Sequence, residues 1–147
     1  MKVKIRKISE KADECLTIEC VEITPDVESI RSYALSRGTV LTGRISERYY
    51  QFSLASVLYF EAVDEKVFAY TKTKTYELKS RLYELEDAYK DKMFIRCSKS
   101  FLLNLMKLES IAPALNGRFY AHMKNGEKII ISRQYVPLIK RQVLGGV

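Results

Sequence analysis

The chain has no tryptophan, one histidine, three cysteines, three prolines and six glycines, and each shortage closes off a kind of chemistry. A single histidine, His122, leaves no Cys/His zinc spacing, and HExxH is absent. The few glycines form neither GxGxxG nor a P-loop, so neither common phosphate cradle is present. No apolar run approaches the roughly 18 residues of a membrane helix; KIIIS, residues 128–132, is only strand-sized. The start, MKVKIRKISEK, is basic but lacks the apolar core and small-residue cleavage site of a secretory signal. These features point to a cytoplasmic protein that is not an enzyme and needs no cofactor.

The cysteines fit that address. Their number is odd and no CxxC pair occurs. On one strand Cys15 and Cys20 would point to opposite faces and could not pair. The plain reading makes all three small buried side chains in a reducing compartment. A redox role for Cys97, which lies between Arg96 and Lys99, is the alternative, because nearby cations lower a thiol pKa.

What the sequence has is apolar content and positive charge. Its 147 residues are 47% hydrophobic, which suits one ordinary folded domain or a modest domain with a small appendage. The net charge of +7 is uneven: nearly all of the excess falls after residue 50. A polyanion partner, nucleic acid or an anionic lipid surface, matches that bias.

Alternation of polar and apolar residues predicts strands over residues 2–8 and 15–23. A helix is expected near 25–37. Thr24 caps it, Pro25 opens it, Asp26 and Glu28 suit its positive end, and Gly38 closes it in the left-handed conformation. Residues 39–53 read as two short extended pieces. VLYFEAV (57–63), KVFAYTK (66–72) and KTYEL (74–78) have strand composition. Leu78, Leu82, Leu85 and Tyr89 mark an amphipathic helix. FIRC (94–97) is extended, and the type of SKSFLLNLMKLESI is left open. Asn116-Gly117 and Asn125-Gly126 suit hairpin turns around RFYAHMK, giving a three-stranded meander that ends in EKIIIS. Ser132 is placed as the cap of a last helix, which Pro137 delays or distorts.

Candidate binding residues are the basic groups in turns. Lys66 sits at a hairpin junction, Lys99 in the polar link after FIRC, and Arg133 at the mouth of the last helix. Amides at a helix start favour phosphate, so Ser132-Arg133-Gln134 reads as an anion-facing corner. Arg and Lys suit guanine, and Gln suits adenine, in the major groove. Ordinary loop solvation is the competing reading. For His122, mid-strand between Ala121 and Met123, a half-buried side chain is the plainer interpretation.

The ordered blocks VLYFEAVDEKVFAY, LKSRLYELED, FIRCSKSFLLNL and NGEKIIISRQYVPLIKR resemble the LytTR-type DNA-binding domain. Phe94, Ile95, Arg96, Ser100, Phe101, Leu102 and Asn104 fit its middle motif. Asn125, Gly126, Ser132, Arg133 and Tyr135 fit its last. The resemblance covers residues 50–144. It implies an α+β fold, predominantly antiparallel β: elongated, with small sheets and short helices. Residues 51–147 are then the DNA-binding domain, and residues 1–50 a strand–strand–helix extension for assembly or control. It also implies a bacterial transcription regulator that binds double-stranded DNA with repeated half-sites through loops. The family's contact positions fall here at Lys66 and Val67, at Ser98 and Lys99, and at Arg133 and Gln134, while Arg96 holds phosphate or structure. Two positions depart from the pattern: Val67 cannot hydrogen-bond a base, and Gln134 stands where arginine is frequent, which implies an altered base preference.

Further expectations come with the family. The chain resembles stand-alone members without a phosphorylated receiver domain, since about 50 residues cannot hold one. A homodimer suits repeated sites, and a small membrane protein that restrains the regulator is a family-level expectation. The competing functional class is a protein-interaction or effector-sensing module with an incidental basic face. A third is single-stranded RNA binding on exposed Tyr and Phe.

Overall fold

The computed structural model describes residues 1–145, which hold ten strands. Strands β1 (Val40–Ile45), β2 (Arg48–Ser53), β3 (Val57–Val63), β4 (Lys66–Thr71), β5 (Thr75–Leu78), β6 (Phe94–Arg96) and β7 (Phe101–Asn104) form one antiparallel sheet, in the order β2-β1-β5-β4-β3-β7-β6. Strands β8 (Leu108–Pro113), β9 (Phe119–Met123) and β10 (Lys128–Ile131) form a second sheet, in the order β10-β9-β8. The helices are α1 (Pro25–Arg37), α2 (Leu82–Tyr89) and α3 (Val136–Leu144). The fold is thus the expected α+β class, mainly antiparallel.

Turn chemistry explains most of the connections. Val63 pairs with Lys66, so Asp64 and Glu65 alone turn β3 into β4, both at positive φ (48° and 66°). That geometry matches the strand twist and is usually given to Asn or Gly. The open segment 98–111 resolves into β7, a 3-10 turn over Leu105–Lys107, and the start of β8. Asn104 makes the break. Buried, it donates to the Val57 carbonyl at 2.8 Å and accepts from the Met106 amide at 3.0 Å. The expected meander forms, but neither Asn-Gly pair makes a two-residue turn. Asn116 (φ 61°) and Gly117 (φ 75°) lie within the connection 114–118, and at the second pair only Gly126 (φ 90°) is left-handed.

Several other expectations need correction. Residues 2–8 and 15–23 form no ladder; the only regular element before α1 is a 3-10 turn over Lys11–Asp13. Alternation supplies a strand's faces, but a strand also needs a neighbour for its backbone groups. Cys15 and Cys20 lie in this stretch and are exposed, so only Cys97 is a buried cysteine. Helix α1 forms as expected, with Thr24 Oγ1 accepting from the Val27 amide at 3.3 Å. Gly38, however, has φ −82° and is not left-handed. Residues 39–53, read as two short extended pieces, form β1 and β2, which pair with each other along their whole length.

Two cores share the central strand β3. On one side Phe60, Val57 and Leu102 pack with Leu82 and Leu85 of α2 and with Phe94. On the other, Leu58, Tyr59 and Leu103 pack with Ala121, Met123, Ile129 and Ile131 of the second sheet and with Val136 and Ile139 of α3. Tyr59 also donates its hydroxyl to Glu127 at 2.5 Å, tying β3 to the β9–β10 turn, and stacks on Tyr70 at 4.6 Å. The second sheet is therefore held firmly against the first, and this fixes the relative positions of the loops at one end of β3.

Candidate nucleic-acid interface

Three separate segments meet at the end of β3 that leads into the 64–65 turn. The Ala62 amide donates to the Ser100 carbonyl at 2.8 Å, which carries the β3–β7 ladder into the loop 97–100. The turn 64–65 therefore stands beside that loop. The Cys97 carbonyl accepts from the Ser132 amide at 2.8 Å, which draws the corner after β10 alongside as well. Lys66, Ser98, Lys99, Arg133 and Gln134, which lie far apart in sequence, are thereby gathered around one loop.

Arg96 organises that loop. Its Nε and Nη2 reach Glu86 Oε1 at 3.2 and 3.1 Å, and its Nη1 donates to the Lys99 carbonyl at 2.7 Å. The side chain is only 14% exposed, so these contacts use most of its donors. Glu86 belongs to α2, and the guanidinium thus braces the loop against the helix. Ser98 Oγ accepts from the Ser100 amide at 3.2 Å, turning the chain so that Lys99 is presented outward. Of the two roles expected for Arg96, the geometry supplies the structural one.

The third segment is a 3-10 turn, Arg133–Tyr135, that runs directly into α3. Ser132 does not cap with its side chain; instead its carbonyl accepts from the Tyr135 amide at 2.8 Å. Pro137 then lies in the first turn of α3, where its missing N–H costs nothing. Arg133 and Gln134 are exposed. The Arg133 stem lies over Gly117, where a Cβ would meet Arg133 Cδ at 3.0 Å. Gly117 thus leaves room for this arginine while adopting a left-handed φ.

Lys66 points outward at the start of β4, 3.8 Å from Glu77 Oε1. Arg44 Nη2 holds the same carboxylate at 2.7 Å, and this hydrogen bond keeps the Glu77 carboxyl below its usual range. Val67, the position expected to offer no hydrogen bond to a base, follows Lys66 in β4. Its side chain is buried in the first core, on a backbone paired with Ala62 and Leu78, and it contributes only an apolar wall to the groove beside Lys66. The alternation of β4 sends Lys66 out and Val67 in.

Cys97 is also settled by geometry. Burial pushes its thiol up to about 12, and the Arg96 cation offsets only part of this. A thiol that stays protonated and out of water is a poor nucleophile, so the residue is a packing element of the second core rather than a redox group.

Sequence reasoning missed Arg81 and Tyr83. With Lys66, Arg96, Glu65 and Ala62 they line a shallow groove of about 390 Å³ running from the 64–65 turn to the start of α2. Both are exposed. The only sequence signal was a cation ahead of an amphipathic helix, and its nearness to Lys66 depends on how α2 packs. Among the described residues, no group of three or more His, Cys, Asp or Glu could hold a metal ion, and no helix is long and apolar enough to cross a membrane.

The arrangement defines a class: an antiparallel scaffold that carries exposed basic residues on turns at one end. Residues 47–143 match the LytTR family, described as the LytTr DNA-binding domain, and the chain belongs to it. The solved LytTr DNA-binding domain of a protein described as a methyl-accepting/DNA response regulator from Bacillus cereus superposes with a TM-score of 0.68. It is 28% identical, and the match covers 71% of this chain and 96% of that one. A Staphylococcus aureus protein (strain NCTC 8325) described as an HTH-type transcriptional regulator is 27% identical over 145 residues, 97% of this chain and 98% of its own. Its counterpart in strain MRSA252 is 26% identical over the same span.

Proposed function

We propose that this chain regulates transcription by binding duplex DNA sequence-specifically through the three gathered segments. The observation that carries the reading is their convergence: two backbone hydrogen bonds, Ala62 to Ser100 and Ser132 to Cys97, place exposed Lys99, Arg133 and Gln134 together beside Lys66. Lys99 and Arg133 are the leading candidates for base contact, since neither forms an ion pair among the described residues. Gln134 suits adenine. Lys66 and Ser98 suit phosphate, and Arg96 keeps the loop in shape. Arg81 extends the same basic border along the groove. Two copies acting on repeated half-sites would double this small contact surface, which is the usual use of two-fold symmetry in operator recognition.

The test is selection of duplexes from a random pool by the purified protein. The expected result is enrichment of one motif present as two spaced copies, with affinity falling steeply with salt, by a log–log slope of about −0.9 per neutralised phosphate. A pool that stays random after repeated rounds would overturn the reading.

A further inference from the structure

The stretch before α1 is unusual for a surface segment. Val3, Ile5, Leu16 and Val21 expose 83%, 93%, 63% and 103% of their area, and Ile23 is exposed as well. Scattered single apolar residues on a surface are ordinary, but a run at strand spacing without a partner is not. The charge is also sorted. Lys2, Lys4, Arg6 and Lys7 occupy the first segment with no acid, whereas Glu10, Asp13, Glu14, Glu19 and Glu22 follow with only Lys11 against them.

We propose that residues 2–8 of one copy of this chain pair as an antiparallel strand with residues 15–23 of a second copy, and that this exchange forms the dimer. The inference rests on the two-copy reading given above. Within one chain the two segments stay unpaired, and a lone two-stranded hairpin is only marginally stable in water. Two copies supply four such segments, enough for a small sheet with one apolar face. Because each copy offers one basic and one acidic segment, the contact is self-complementary under a two-fold axis. Setting Lys4 opposite Glu19 also sets Val3 opposite Cys20 and Ile5 opposite Ile18. That register puts Val3 and Ile5 with Leu16, Ile18 and Cys20 on one face, Lys7 among them, and Lys2, Lys4 and Arg6 with Glu19 on the other, beside Ile8 and Val21.

Cross-linking of the full chain tests this. In a Val3→Cys, Cys15→Ser variant, mild oxidation should give a disulfide-linked dimer on a non-reducing gel, and adding Cys20→Ser should abolish it. A disulfide closed within one chain, or none, would overturn the proposal. Sedimentation gives a second reading. Lys4→Glu or Glu19→Lys alone should weaken association roughly tenfold, because the pair occurs twice per dimer, and combining them should restore it. Association indifferent to all three variants would also count against the exchange. Neither experiment contains DNA, so their failure would leave the loop-contact reading standing.

Discussion

Replacing Lys99 or Arg133 with alanine should weaken binding to the selected duplex by about 5- to 150-fold each, and the double variant by about 25-fold or more. A base contact of this kind is worth roughly 1–3 kcal/mol, and every 1.4 kcal/mol is tenfold in affinity. Both side chains are exposed, so the variants should unfold at the wild-type urea midpoint. The pattern of loss separates their roles. A base-reading residue loses discrimination at one position of the site, whereas a phosphate-binding residue weakens all sequences alike and lowers the salt slope by about one. Gel-shift titrations against the selected site and against single-position variants would measure both. Unchanged affinity in the double variant would remove these loops from the contact surface.

The second large effect is on stability. Phe60→Ala should cost about 3–5 kcal/mol, measured as a drop in the urea midpoint. Phe60 is fully buried on the divider strand β3, with ring centroids 5.4 Å from Phe94 and 6.3 Å from Tyr89. Domains of this size are stable by only about 5–15 kcal/mol, so much of the folded population is at stake. DNA binding should fall with the folded fraction, because β3 also carries the turn and the ladder that position the loop 97–100. A loss below about 1 kcal/mol would mean that the first core does not depend on this ring.

Much of this architecture is legible in the sequence because local pattern and tertiary environment agree. The strand 57–63 has apolar residues where β3 meets its two cores, and Leu82 and Leu85 fall on the buried face of α2. The basic loop residues were legible as exposed cations in turns. Convergence was harder to see. The Arg96–Glu86 contact joins a strand to a helix ten residues earlier, and Ser132 meets Cys97 across two sheets. Neither follows from spacing. Val67 illustrates the limit of motif register: a shift of one residue turns a surface position into a core position in a strand. Cys97 shows local charge outweighed by burial, which only packing reveals. Residues 2–23 show the reverse, with a strand pattern that finds no neighbour in its own chain.

The most direct measurement is amide chemical-shift mapping of the isotopically labelled protein as the selected duplex is added. The account predicts the largest changes at Glu65, Lys66, Ser98, Lys99, Arg133 and Gln134, with the β1–β2 hairpin at residues 40–53 little affected. Large changes confined to that hairpin or to α1, with the three loops unmoved, would contradict it.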